Sequence, residues 1–269
     1  MSVDLLVGVP WAGEHALEIF GGLLATLLLA TVALWWGERR IDVARHPSPR
    51  LSGWYLGLWL AAGFAVIMTS AWLFAEIAEK LGTTGRMGQA DQALADSLKV
   101  HLPLAALQVF AWLTHLADTV TVVGVCALVA AVLLLRGRRG LALGWVLAIA
   151  GNGLLNVTLK QIFARVRPVH DGGLVAAQGF SFPSGHSSGS VVMYGMLAYV
   201  LCRFVPLRWQ LPVVLAAVTL AFSVGVSRVF LRVHFASDVL AGFISGTAWL
   251  VVCIAGIALT RWMQLPSKN

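Results

Sequence analysis

Charged residues are scarce in this sequence of 269 residues. Only 12% of the residues are charged, whereas 59% are apolar. An ordinary soluble domain has about 25% charged and about 45 to 50% apolar residues, so this composition excludes a typical soluble protein. The sequence instead predicts an all-α, polytopic helix bundle embedded in a membrane.

Cysteine is rare, and the few acidic residues are scattered. The three cysteines, Cys126, Cys202 and Cys253, lie in separate apolar stretches without metal-ligand spacing. Their positions indicate neither a disulfide framework nor a zinc site, and we interpret them as small buried hydrophobic residues. The 12 Asp and Glu residues include no Asp-x-Asp cluster.

Long hydrophobic runs dominate the rest of the chain. Segments of about 20 apolar residues match the length of a membrane-spanning helix. We predict seven such helices, at about 17–36, 54–75, 119–135, 141–159, 188–204, 211–227 and 239–260. The connection 76–118 is too interrupted to span, and we expect a helix at the outer interface or packed over the bundle.

The distribution of basic residues indicates how these helices are oriented. The net charge is +7, but the basic residues alternate between the two sides of the membrane rather than forming one patch, which argues against nucleic acid as a partner. Eleven of the 19 Lys and Arg residues fall on one side: Arg39, Arg40, Arg45, Arg50, Arg136, Arg138, Arg139, Arg203, Arg208, Arg261 and Lys268. By the positive-inside rule that side is cytoplasmic, so the N-terminus is outside.

Three polar stretches interrupt the apolar pattern, and the first is "KQIFARVRP" at the outer end of the fourth predicted helix. Lys160 and Arg167 are seven residues apart, about two helical turns, so we expect them on one helical face, with Pro168 ending the helix. Taken alone, two cations at a helix end are typical of interfacial anchors.

The second stretch, "FPSGHSSGS" at residues 182–190, introduces the fifth predicted helix. Pro183 suits a first helical turn, and the serines are available as caps. Backbone N–H groups at a helix start favour an anion, Gly185 permits close approach to the backbone, and His186 can exchange a proton there. Alone, the stretch is also typical of a capped helix with an incidental histidine.

The third stretch, "SRVFLRVHFASD", joins the sixth and seventh predicted helices. His234 and Asp238 are four residues apart, so a helix would let the carboxylate orient the imidazole and fix its tautomer. Arg228 offers a planar donor group that matches phosphate oxygens. The three stretches fall on the same extracytoplasmic side, and together they indicate phosphoryl transfer on a lipid at the membrane surface.

These stretches carry the motifs K-x6-RP (Lys160, Arg167, Pro168), PSGH (Pro183 to His186) and SR-x5-H-x3-D (Ser227, Arg228, His234, Asp238). In this respect the chain resembles the type 2 phosphatidic acid phosphatase (PAP2) superfamily, without a departure from its three signature motifs. The resemblance implies a six-helix core within residues 51–269. The N-terminal helix and cytoplasmic loop of residues 1–50 are predicted to be an addition to that core.

The resemblance also implies a role for each motif residue. His234 would form a phosphohistidine, Asp238 would orient it, and His186 would protonate the leaving oxygen and then activate water. The phosphate oxygens would be held by five further residues: Lys160, Arg167, Ser184, Gly185 and Arg228. No metal ion or other cofactor is expected.

The sequence thus predicts a lipid phosphate phosphatase in a bacterial cytoplasmic (inner) membrane, with an extracytoplasmic active site. We favour undecaprenyl diphosphate as substrate because that carrier is released on the outer side, with phosphatidic acid and phosphatidylglycerol phosphate as alternatives. A lipid phosphotransferase using the same site and a non-catalytic lipid-binding or transport protein are the alternative functions. The sequence gives no indication of the oligomeric state.

Overall fold

A computed structural model of the protein describes residues 5–45, 53–81, 85–168 and 173–263. In these residues the chain forms ten α-helices, one short 3-10 helix (His115–Ala117) and no β-strand. The α-helices are α1 (Leu5–Glu14), α2 (Ala16–Arg45), α3 (Gly53–Glu79), α4 (Arg86–His101), α5 (Leu104–Thr114), α6 (Thr119–Leu135), α7 (Arg139–Phe163), α8 (Gly185–Leu201), α9 (Leu207–Phe230) and α10 (Ala236–Met263). The predicted all-α fold is confirmed.

Among the described residues, five helices are long and apolar enough to cross a membrane: Ala16–Gly37, Gly57–Glu79, Arg139–Phe163, Leu207–Phe230 and Ala236–Met263. All seven predicted segments are helical, but α6 and α8 have only 17 residues each. Seventeen residues rise about 26 Å, which is the lower limit for a spanning helix. Within the described residues the prediction of seven spans is therefore met only in part, by five long helices, because α6 and α8 are too short to be counted with them.

The connection between α3 and α6 is two helices, α4 and α5, with an angle of 119° between them. Leu98 and Phe110 from this pair are buried with Ala16 and Phe230 in one apolar cluster. The pair therefore packs against α2 and α9, as one of the two predicted alternatives has it, and taken together α4 and α5 are also long and apolar enough for one broken span. The helix α1, which packs against α4, was not predicted from the sequence.

The short helix α8 lies at the centre of the bundle, in contact with α7, α9 and α10. This position explains how a serine-rich helix is tolerated in a membrane protein, because Ser187, Ser188 and Ser190 are all buried away from lipid. Close approach of α10 depends on two glycines. A Cβ atom on Gly242 would lie 2.6 Å from the Ser184 carbonyl oxygen, and one on Gly246 would lie 2.8 Å from that of Ser188.

The N-terminal helix α2 lies at the periphery and packs along α9. Phe20 stacks on Phe222 of α9, with ring centroids 5.6 Å apart, and meets Phe110 of α5 edge-on at 5.2 Å. This peripheral position fits an addition to a core. The predicted boundary between residues 50 and 51 lies outside the described residues.

Candidate active site

The three motifs meet at one end of the bundle, where α7 and α9 end and α8 and α10 begin. The backbone joins the second and third motifs directly, since the Ser184 N–H donates to the Asp238 carbonyl at 3.0 Å. The first and second motifs are joined in the same way, because the Ser181 N–H donates to the Arg165 carbonyl at 2.7 Å. These backbone hydrogen bonds bring stretches that are separate in sequence into one polar site.

His234 and Asp238 form the buried centre of this site, with exposed fractions of 2% and 0%. His234 lies in the turn before α10, and Asp238 lies in the first turn of that helix. The Nδ1 atom of His234 is 3.4 Å from Oδ2 of Asp238, which also accepts the Phe235 N–H at 2.9 Å. The predicted histidine–carboxylate pair is therefore present, although the histidine is not in the helix itself.

The other ring nitrogen of His234 faces a cation. Its Nε2 atom lies 3.0 Å from the NH1 group of Arg167. Because a guanidinium can only donate, Nε2 is the accepting atom, and Nδ1 carries the proton that points to Asp238. Burial, with the nearby charges of Arg167 and Arg228, lowers the pKa of His234 to about 3. The imidazole is therefore neutral near pH 7, with its Nε2 lone pair in the site.

Arg167 reaches this position from a loop, not from the face of a helix. The prediction that it continues the helix of Lys160 up to Pro168 is wrong, because α7 ends at Phe163 and Ala164 adopts a left-handed conformation with φ 43°. The guanidinium then donates to the carbonyl oxygens of Val233 at 2.7 Å and Gly179 at 3.0 Å. Tertiary contacts, rather than helical spacing, aim this side chain.

Lys160 lies in the last turn of α7, as predicted, and its ammonium donates to the Phe180 carbonyl. It interacts electrostatically with Arg167, Arg228 and Asp238. The three predicted phosphate-binding cations therefore lie near one another, and the Asp238 carboxylate lies near Lys160. Such a cluster of positive charge is suited to an anion.

The second motif forms a capped helix start at the same location. Ser184 is the N-cap of α8, and its hydroxyl accepts the Ser187 N–H at 3.3 Å, which confirms the predicted serine cap. Pro183 lies before the cap and not in the first turn, so that part of the prediction is wrong. Gly185 begins the helix, where a Cβ atom would lie 2.9 Å from Asn156 Oδ1.

A buried aromatic residue fixes the motif in place. Phe182 is fully buried and packs against Phe163 of α7 and Phe74 of α3, with ring centroids 5.1 and 5.2 Å apart. The loop that carries Ser184 and Gly185 is thereby anchored to two helices.

His186 has a partner that the sequence did not reveal. Its Nε2 atom is 2.9 Å from Oδ1 of Asp118, whose Oδ2 is 2.6 Å from Nδ1 of His115. Burial raises the pKa of the Asp118 carboxyl, but the hydrogen bonds with the two histidines outweigh burial and lower that pKa below its usual value. Asp118 is therefore ionised near neutral pH. The only signal in the sequence was an aspartate just before a predicted helix.

Arg228 projects from the last turn of α9 and is only 3% exposed. Its NH1 group donates to the Thr114 hydroxyl at 2.7 Å, whereas its buried Nε has no hydrogen-bond partner within the described residues. An unpaired buried donor on a cation is costly, and an anion in the site would satisfy it. Ser227, which we did not assign to phosphate, donates to the Val224 carbonyl within α9.

A second set of contacts behind Asp238 was also missed. Arg165 donates from NH1 to Asp238 at 2.6 Å and from NH2 to Asp91 of α4 at 2.9 Å. Asp91 also accepts the backbone N–H of Ser237 at 3.2 Å, at the start of α10. Asp91 and Arg165 thus fix the helix turn that carries Asp238. Neither residue is a defined position of a motif, although Arg165 stands between Lys160 and Arg167 in the sequence.

Within the ranges that the structure describes, no group of three or more His, Cys, Asp or Glu side chains is arranged to hold a metal ion. The acidic groups of the site contact histidines, an arginine and backbone N–H groups instead.

Comparisons with known proteins agree with this geometry. The model of the PAP2 superfamily matches residues 141–262. Phosphatidylglycerophosphatase B of Bacillus subtilis is 32% identical over 165 residues, which cover 61% of this chain and 81% of that protein. Lipid A 1-phosphatase of Rhizobium johnstonii is 32% identical over 113 residues, which cover 39% of this chain and 42% of that protein.

A solved structure gives the same result at the level of the fold. The crystal structure of a transmembrane PAP2-type phosphatidylglycerolphosphate phosphatase from Bacillus subtilis is similar, with a TM-score of 0.66 and 29% identity. The match covers 72% of this chain and 96% of that one. Taken with the motifs and their convergence, these matches show that the chain belongs to the PAP2 superfamily and is an integral-membrane lipid phosphatase.

Proposed function

We propose that this enzyme hydrolyses a lipid phosphate through a phosphohistidine formed on His234, without a metal ion. One observation carries the proposal: Nδ1 of the neutral, buried His234 faces Asp238, while Nε2 faces the guanidinium of Arg167. This arrangement leaves a lone pair at the point where the cations would hold a phosphate. A phosphate between Nε2 and Arg167 would be positioned for attack.

The reaction would take place in two steps. In the first, Nε2 of His234 forms a bond to phosphorus as the bond to the lipid oxygen breaks, and protonated His186 gives its proton to that oxygen. In the second, neutral His186 takes a proton from water, the water oxygen attacks phosphorus, and the P–N bond breaks. Inorganic phosphate is released, and both histidines return to their starting forms.

His186 needs an orienting group for this role, and Asp118 supplies one. Burial and the charge of Arg228 lower the pKa of His186, and the ionised carboxylate 2.9 Å from Nε2 opposes them by favouring the protonated imidazole, which is the form that donates in the first step. Asp118 is therefore proposed as a positioning residue for the general acid. Asp238 has the same relation to the nucleophile.

The phosphate oxygens would be bound by the predicted set, namely Lys160, Arg167, Arg228, the Ser184 hydroxyl and the Gly185 N–H. The unpaired Nε of Arg228 supports its place in this set. At the start of α8, backbone N–H groups add partial positive charge. These groups would stabilise the charge that develops on phosphorus-bound oxygens.

Two lipids have the strongest support as substrates. The name of the Bacillus subtilis relative favours phosphatidylglycerophosphate, and we place it first because this chain covers 81% of that protein. Undecaprenyl diphosphate, favoured by the predicted outward position of the site, stays a prediction. Phosphatidic acid and a lipid A complete the set to be compared.

The orientation is proposed from the charge distribution. α7, α8 and α10 each have site residues at one end and an arginine at or next to the other: Arg139, Arg203 and Arg261. An arginine-rich end is expected in the cytoplasm, so the site would face the extracytoplasmic side of a bacterial inner membrane. Labelling of single cysteines at the two ends of α7 in intact cells would test this orientation.

We also propose residues 51–269 as the catalytic core, with residues 1–50 as an addition. The solved relative matches 96% of its own length to only 72% of this chain, which supports an additional segment here. Removing residues 1–50 should then leave phosphate release measurable.

The test of the proposed function is phosphate release by the purified protein in detergent with EDTA, across these four lipids. We expect release from at least one lipid, loss of release in His234→Ala, and a base-stable phosphoprotein in rapidly quenched wild type. Release that survives His234→Ala would overturn the mechanism. Transfer of phosphate to a second lipid without free phosphate would identify a phosphotransferase, and binding without turnover would identify a lipid-binding protein.

A further inference from the structure

A basic groove lies at the opposite end of the bundle from the candidate active site. A groove of about 1080 Å³ separates the beginning of α7 from the end of α10. Four arginines line it: Arg138, Arg139, Arg203 and Arg261. All four are exposed, so their guanidinium groups are accessible at the mouth of the groove.

The groove is too far from the site to be part of it. Lys160 is 21 residues along α7 from Arg139, which corresponds to about 32 Å of helix. Asp238 and Arg261 are separated by a similar length of α10. A ligand in the groove would therefore enter from the other membrane surface.

The walls of the groove combine two kinds of chemistry. The four arginines lie at its outer end, and no Asp or Glu of the described residues lines it. Further along α7 and α10 from the arginines its walls are apolar, formed by Leu143, Leu147, Leu154 and Ile257 together with several small residues. A ligand that fits both parts has an anionic head and a hydrocarbon tail.

Glycines keep the outer part of the groove open. A Cβ atom on Gly144 would lie 2.6 Å from Ile257 Cδ1, so the two helices are already in close contact there. On Gly140 and Gly256, by contrast, a Cβ atom would meet nothing within 4 Å. The helices thus pack tightly at Gly144 and leave unfilled space beside the arginines.

We propose that this groove binds one glycerophospholipid with an anionic headgroup, taken from the membrane leaflet opposite the active site. Basic pockets between transmembrane helices attract anionic lipid headgroups, and an arginine fork binds phosphate oxygens through two donors. The acyl chains lie along the apolar walls. The lipid is a bound partner and not a substrate, because among the described residues neither a histidine nor a carboxylate lines the groove.

The proposal is tested by binding, independently of turnover. The lipid-stripped, full-length protein is titrated with dioleoylphosphatidylglycerol or dioleoylphosphatidylcholine, with excess inorganic phosphate to occupy the active site. Native mass spectrometry counts the bound lipids, and thermal unfolding gives the affinity. We expect one retained phosphatidylglycerol that raises the Tm, with much weaker retention of phosphatidylcholine.

Two kinds of variant distinguish lipid binding in the groove from general electrostatic attraction of an anionic lipid to a basic protein. The triple change Arg138→Gln, Arg139→Gln, Arg261→Gln should weaken phosphatidylglycerol binding about a hundred-fold, since each arginine contributes about 1 kcal/mol near a charged surface. The control Arg208→Gln removes a nearby arginine that does not line the groove, and it should bind normally.

The second variant fills the space without altering charge. Gly256→Leu places a side chain in the groove and should prevent binding, whereas Gly153→Leu on another face of α7 is the matched control. Equal binding of the two lipids, or unchanged affinity in both the triple variant and Gly256→Leu, would overturn the proposal. Either result would leave the proposed phosphatase mechanism untouched.

Discussion

Residues 160–238 and residues 91–118 both contribute side chains to the candidate active site, but in different ways. The first region supplies the histidines and cations that would touch the phosphate. The second supplies Asp91, Thr114 and Asp118. Their side chains form hydrogen bonds with Arg165, Arg228 and His186, respectively. The difference shows that the residues proposed to react lie in recognisable motifs, whereas the residues proposed to orient them are single polar residues in the connection between α3 and α6.

We expect the largest loss of activity when the pair of His234 and Asp238, in residues 160–238, is disrupted. Asp238→Asn should lower kcat by roughly 1,000-fold, because an amide neither fixes the Nδ1–H tautomer of His234 nor stabilises its positive charge. Lipid binding should change much less than kcat. The assay is phosphate release under saturating lipid, with Asp96→Asn, an exposed carboxylate on α4, as the control. A loss below ten-fold would show that Asp238 only stabilises the fold.

A smaller effect is expected for the carboxylate of the second region. Asp118→Asn should lower kcat by roughly 30-fold, part of the 100- to 10,000-fold that general acid catalysis contributes. Its alkaline limb of kcat against pH should also move to lower pH, since the carboxylate no longer stabilises protonated His186.

The control for Asp118 is His115→Gln, which removes the other imidazole bound to the same carboxylate. Its pH profile should keep the wild-type position. If both variants shift the profile equally, Asp118 does not act through His186 and the second region has only a structural role.

Disrupting the contact between Asp91 and Arg165, which supports Asp238, should lower both activity and stability. Asp91→Asn leaves Arg165 beside Asp238 but removes one of its two carboxylate partners, so we expect roughly ten-fold lower kcat and a Tm lower by roughly 5 °C. Thermal unfolding and phosphate release are measured on the same preparation. A lower Tm with unchanged kcat would show that Asp91 stabilises α4 against α10 without orienting the nucleophile.

The smallest effect concerns stability alone. The pKa of His234 is lowered to about 3 in the folded protein from an ordinary 6.5, so between these values the unfolded chain binds more protons and stability falls as pH falls. The loss from this group by pH 5 is about 2 kcal/mol. His234→Asn should therefore show a smaller fall in Tm between pH 7 and 5. If Tm falls equally with pH in the wild type and in His234→Asn, the conclusion that His234 is buried and neutral is contradicted.

The sequence predicted some positions well because local chemistry determines them. Ser184 caps α8 as expected, since a serine hydroxyl before a helix start meets free N–H groups. The prediction for Arg167 was wrong, because the left-handed conformation of Ala164 ends α7 before that residue. Ser181 then donates hydrogen bonds to the carbonyl oxygens of Arg165 and Val166, and these bonds set the path of the loop. That pairing joins residues about 15 positions apart, which no helical spacing can reveal.

The sequence by itself determined the apolar helices and the set of candidate site residues, because hydrophobic length and motif chemistry are local properties. Only the tertiary structure decided that Asp118 contacts His186, that Asp91 and Arg165 hold Asp238, and that a basic groove opens between α7 and α10. Each of these depends on which helices become neighbours. That choice is made by packing across the whole bundle, where glycines such as Gly242 and Gly246 permit close contact and buried charges must find partners.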